Sequence, residues 1–160
     1  MSELTTQAIP PPLPGTWSAG WIRLRGASLT LPAMLLLGFA WTMHPDGRGY
    51  GTHEQLDLPA CEMMMRTGYP CPTCGLTTSV TAAAHGRVGE ALHAHPFGLL
   101  LLGGTLLIAA CGAAELATGR GAIRRLRPGP WWALIAVGGL LVSWAWLLVS
   151  GSITGRWGLH

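Results

Sequence analysis

The sequence predicts an all-α integral membrane protein with three transmembrane helices and short extramembrane helices between the first two. Three observations carry this. Charged residues make up 11% of the 160 and apolar residues 49%, whereas soluble domains average about 25% charged. Three uncharged apolar stretches approach or reach the length that crosses a bilayer. Eight tryptophans stand against two tyrosines and two phenylalanines, a balance that suits interfacial anchors. The chain has no lysine, and its net charge of +3 comes from scattered arginines, which argues against nucleic-acid binding.

Residues 1–22 hold Pro10, Pro11, Pro12 and Pro14 and are expected to form a disordered tail. Arg23 and Arg25 precede the first apolar run, 27–43. At about 1.5 Å per residue it is at the short end for roughly 30 Å of hydrocarbon. Pro32 then falls in the first turns, where a missing N–H costs little. A cleaved signal peptide is the competing reading, with Gly38-Phe39-Ala40 as the cleavage region. The long leading tail, and Trp41 and Met43 beyond that region, favour a retained span.

Residues 44–95 form a polar connection with short helices. Asp57 is expected to cap a helix that has Pro59 in its first turn and stops at Gly68. Tyr69-Pro70 leads extended into Cys71. Pro72 is expected to open a second helix running to Gly86, and Val88 to His95 a third. The second span, 97–115, carries Thr105, Ala109 and Ala113 at four-residue spacing, a pattern that suits close helix approach and equally a lipid-facing face. Residues 116–130 form a basic loop with Arg120, Arg124, Arg125 and Arg127. The third span, 131–150, opens on Trp131 and Trp132, with Trp144 and Trp146 deeper and expected to pack on a neighbour. Residues 151–160 are the C-terminal tail.

Three spans put the N-terminus and the 116–130 loop on one side with six arginines, against four on the other. The positive-inside rule therefore places the N-terminus in the cytoplasm, and the cysteine loop and C-terminus outside. Cys61, Cys71 and Cys74 would then face a compartment where disulfides persist. Cys111 lies inside the second span and reads as an inert thiol.

The chemistry concentrates in Cys61 and in Cys71-Pro72-Thr73-Cys74-Gly75-Leu76-Thr77. The run from Cys61 through Tyr69-Pro70 and this motif resembles an uncharacterised family of small bacterial membrane proteins, the domain of unknown function 2752 family. The resemblance covers roughly residues 58–105. The family's arginine after Leu-Thr is Thr78 here, its Asn-Pro is His95-Pro96, and Thr73 replaces its usual glycine. The resemblance implies a multi-pass membrane protein and the placement of the motif; it implies no reaction.

The leading reading of the loop is a structural, disulfide-stabilised cap over the bundle. A thiol–disulfide oxidoreductase is an alternative, with Cys71 at a helix start. A zinc or copper site is another, using Cys61, Cys71 and Cys74 with His93 or His95 as further candidates. Met63, Met64 and Met65 beside Cys61 would suit copper(I). Whether the protein is an enzyme stays open, although no hydrolase pattern is present. The lipid bilayer is the expected partner, with a membrane-protein partner or a homo-oligomer as a further expectation. Glu115, the one acid beside a span, is expected to reach water at the cytoplasmic end, which argues against a proton relay.

Overall fold

The computed structural model describes residues 18–123 and 129–157. Among these residues every regular element is helical: α1 Ala19–Thr42, a 3-10 helix Thr52–Leu56, α2 Glu62–Thr67, α3 Leu76–Ala84, α4 Val88–Ala94, α5 Pro96–Thr118 and α6 Trp131–Ile153. Helices α1, α5 and α6 are long and apolar enough to cross a membrane. Most of the expected tail, Arg124, Arg125 and Arg127 of the basic loop, and His160 lie outside the described residues.

Helix α1 begins eight residues before the expected start. Ser18 caps it, its hydroxyl accepting from the Trp21 N–H. Residues 19–22, read as tail, are therefore helical. Arg23 and Arg25 lie within the helix rather than ahead of it, and Pro32 falls in its interior. A proline there removes one helical hydrogen bond, which membrane helices tolerate.

Helices α1 and α5 make the main pairing. Gly26, Ala33 and Ala40, every seventh residue of α1, are its buried positions. On α5 the buried set is Gly98, Ala109, Gly112 and Glu115. A Cβ on Gly26 would lie 2.6 Å from the Gly112 carbonyl oxygen and 2.7 Å from the Leu116 nitrogen. The helices thus meet backbone to backbone, which only small residues allow. Of the expected small-residue row, Ala109 faces the contact but Ala113 is exposed. A spacing of four drifts off a 3.6-residue face within two steps. Ala109→Leu is expected to destabilise the bundle by about 1–3 kcal/mol through overpacking; an unchanged melting temperature in detergent would contradict the packing described.

Glu115 does not reach water. It is fully buried and takes two hydrogen bonds from Arg25, at 3.0 and 2.7 Å, and a third from the Ile123 N–H at 2.8 Å. Arg25, about two turns before Pro32 and one residue from Gly26, is carried to it by the close helix crossing.

Helix α6 is attached from about Gly139 onward, where the Phe97 ring packs against it. The Phe97 N–H, in the first turn of α5, donates to Ser143 Oγ at 3.0 Å, and Ser143 is near the middle of α6. The remaining ten residues of α6, about 15 Å of helix, run on beside the segment between α1 and α5. There Trp144 packs as expected, while Trp146 is exposed. Trp157 folds back under α6, donating to the Leu147 carbonyl at 2.8 Å, and any side chain at Gly151 would overlap its indole.

Candidate thiol centre

Residues 43–95 pack into a cap on the C-terminal end of α1 and the N-terminal end of α5. The cap has its own interior. Thr52 and Thr78 share a buried hydroxyl–hydroxyl bond of 2.8 Å, so Thr78 faces the interior of the cap. Ser79 Oγ lies 2.8 Å from the Ala91 carbonyl and 2.7 Å from that of His95. This ties α3 to α4 and to the start of α5.

The helices of the cap are shorter than expected. Asp57 takes φ 56 and closes the 3-10 helix rather than capping α2. Cys61 is the residue before α2, and Gly68, at φ 73, ends it. Pro72 does not open a helix. Cys71 to Cys74 form a turn in which the Cys74 N–H donates to the Cys71 carbonyl at 3.0 Å, and α3 begins only at Leu76. Cys71 therefore does not occupy the helix start assigned to it by spacing. The glycine of the motif is required: Gly75 has φ 82, and a Cβ there would lie 2.6 Å from the Ala94 carbonyl oxygen and 2.7 Å from that of Gly49.

These turns bring Cys61, Cys71 and Cys74 together, with all three Sγ atoms within 4.8 Å of one another. All three are free thiols, as is Cys111 on α5. Cys74 is buried while Cys61 and Cys71 are half-buried. Burial, with Cys61 and Cys71 alongside, pushes the Cys74 thiol up to about 12. Burial acts on Cys61 in the same sense, but hydrogen bonds from the Met64 backbone, from Cys71 and from the Met63 backbone hold its pKa below the ordinary value.

The histidines are placed apart from the three sulfurs. His93 lines an open pocket of about 360 Å³ with Asp46, Thr78, Arg87 and Glu90. His95 is fully buried. Its Nε2 lies 3.1 Å from the Pro72 carbonyl and its Nδ1 3.0 Å from Ser143 Oγ. A carbonyl only accepts, so Nε2 carries the proton and Nδ1 accepts from the Ser143 hydroxyl. Sequence reasoning did not identify Ser143 or Trp144 as part of this arrangement, since both lie in an apolar run with no local signal of a partner.

Burial lowers the His95 pKa, and the Pro72 carbonyl only partly opposes this. The unfolded chain thus takes up the proton first. Stability is complete above the unfolded value of about 6.5 and is lost as pH falls below it towards the folded pKa. We expect the melting temperature to drop between neutral and mildly acidic pH, and the part due to this group to vanish in His95→Gln.

Arg156 ties the segment after α6 to the cap. It donates to the His93 carbonyl at 3.1 Å and to the Arg48 carbonyl at 2.9 Å, and lies 4.9 Å from the centre of the Trp157 ring. Burial lowers its pKa, while Tyr50 and Cys74 act in the opposite sense.

Fold and site together define an all-helical protein with three helices able to span a membrane and a three-thiol cluster in the cap on one end. Residues 61–109 match the model of a family described as Protein of unknown function (DUF2752). The match bears out the resemblance seen in the cysteine motif, and runs through the turn, α3, α4 and the first half of α5. No curated protein and no solved structure matches the chain.

Proposed function

We propose that Cys61, Cys71 and Cys74 bind a soft metal ion, zinc or copper(I), on the non-cytoplasmic side of a multi-pass membrane protein. The observation that carries this is the convergence of three sulfurs within 4.8 Å. Around tetrahedral zinc, with Zn–S near 2.3 Å, sulfurs sit about 3.8 Å apart, so each pair needs a contraction of roughly 1 Å at most. The buried Cys74 is a poor bare thiolate, and a bound cation supplies the charge that burial otherwise denies it. Copper(I) is satisfied by three soft thiolates, with Met63 and Met65 exposed beside Cys61; zinc would take a fourth ligand from solvent. The arginine asymmetry of the sequence supports the orientation, and the exposed apolar residues of α1, α5 and α6 suit contact with lipid.

The test is metal analysis of full-length protein purified without reductant or chelator. We expect near one equivalent of zinc or copper per chain, and chelation should make the thiols alkylatable. Metal-free protein with three freely alkylated thiols would overturn the reading.

A second reading rests on the same convergence, with Cys61 and Cys71 as the two half-buried members of the cluster. Joined as a disulfide, they would surrender two electrons and two protons to a partner disulfide and close a loop across the cap, worth roughly 2–3 kcal/mol. Intact mass then shows the loss of two hydrogens and no metal. A structural bond resists mild reductant, whereas an exchanging, oxidoreductase bond yields a trapped mixed disulfide with its partner.

A further inference from the structure

We propose that the third membrane helix sets the geometry of the thiol centre, with Trp144 and Ser143 as positioning residues; this rests on the metal reading above. Cys71 stands between Pro70 and Pro72. Neither proline has an N–H, so two of the three residues in this stretch offer no backbone donor. The anchoring falls on carbonyls instead, and three successive ones are engaged. Pro70 accepts from Trp144 Nε1 at 2.9 Å, Cys71 from the Cys74 N–H at 3.0 Å, and Pro72 from His95 Nε2 at 3.1 Å.

Two of these three bonds lead to α6. Trp144 makes one directly. The other passes through His95, whose Nδ1 is held by Ser143, while Ser143 Oγ is itself held by the Phe97 N–H. Two consecutive residues of α6 thus hold the chain on both sides of Cys71. The prolines have no N–H to offer, and the Cys74 N–H is spent on the turn. With its two flanking carbonyls fixed, Cys71 Sγ is held against Cys61 and Cys74. Groups that orient a ligand residue in this way commonly change metal affinity by about 10–100-fold when removed. Helix α6 lies beyond the segment that matches the family.

The test uses full-length protein in detergent, with arsenite and copper(I) as probes. Arsenite forms three As–S bonds with three converging thiols, releasing one water per bond without any change of oxidation state. It therefore reports thiol geometry whether or not a metal is native to the site. Trp144→Phe keeps the ring and removes the N–H; Ser143→Ala removes the hydroxyl and Ser143→Thr retains it; Trp146→Phe, at an exposed site on the same helix, is the control. Trp144→Phe and Ser143→Ala should each bind arsenite and copper(I) about tenfold more weakly or worse. Ser143→Thr and Trp146→Phe should match the unchanged chain.

A purely structural role would lower the melting temperature of both variants while leaving the folded protein's arsenite affinity unchanged, and that result overturns the inference. Unchanged protein that binds arsenite but copurifies with neither zinc nor copper removes the metal reading alone; the order of affinities among the variants still decides the positioning role. Failure of the unchanged protein to bind arsenite after its metal has been removed by chelation and its thiols reduced overturns both.

Discussion

Arg25→Leu is expected to destabilise the α1/α5 pair by about 3–5 kcal/mol, the cost of leaving a buried charge without its partner. Glu115 is fully buried, and apart from Arg25 it accepts from the Ile123 N–H, a neutral donor. Without the guanidinium its carboxylate must either stay charged in an apolar contact or take up a proton, and both cost free energy. Arg25 is itself 37% exposed, so the lower end of that range is the better expectation. Replacing both partners, Arg25→Leu with Glu115→Leu, should recover much of the loss, since paired apolar residues of similar volume often replace a buried ion pair at little cost. Reversible unfolding in mixed detergent micelles measures both variants. Equal stability of the single variant and the unchanged chain would show that the pair does not hold the helices.

Cys74→Ser is expected to lower metal affinity by at least about 100-fold, because it removes the buried member of a three-ligand set. Serine is close to cysteine in size, but its hydroxyl is a hard, weak ligand, and burial without a partner should cost about 1–3 kcal/mol. Cys74→Ala separates the two effects: it loses the ligand without burying a hydroxyl. Cys111→Ser serves as the control, since Cys111 sits on α5 outside the cluster. Competition against a chelator of known affinity gives the numbers. Equal loss in Cys111→Ser would point to general unfolding instead of a local site.

Much of the architecture is legible in the sequence because hydropathy is a local property. Three uncharged runs, their tryptophans and the interrupting polar segment predict three spanning helices and a loop with short helices, and the third span starts at Trp131 as expected. The short cap helices are less legible. Their ends depend on which backbone groups find partners, and Pro72 fits a helix start by propensity while the fold places it in a turn closed by Cys74. The first helix also extends further towards the N-terminus than its uncharged apolar run. Arg23 and Arg25 look like a flank until Glu115, ninety residues on, is seen to accept from Arg25.

The cysteine motif is visible in one dimension, and so is the fact that Cys61 accompanies it. Sequence alone therefore determined the helical class, the three spans, the family resemblance and the identity of the thiols. Tertiary structure decided that the three sulfurs converge while His93 and His95 stand apart, that Glu115 is buried, and that α6 reaches the cysteine turn. The physical reason is the same in each case. Composition and periodicity report how a segment meets solvent or lipid, which each segment does independently. A hydrogen bond from Trp144 to Pro70, or a carboxylate paired across a glycine crossing, depends on the relative register of two helices, and register is set only when their surfaces pack.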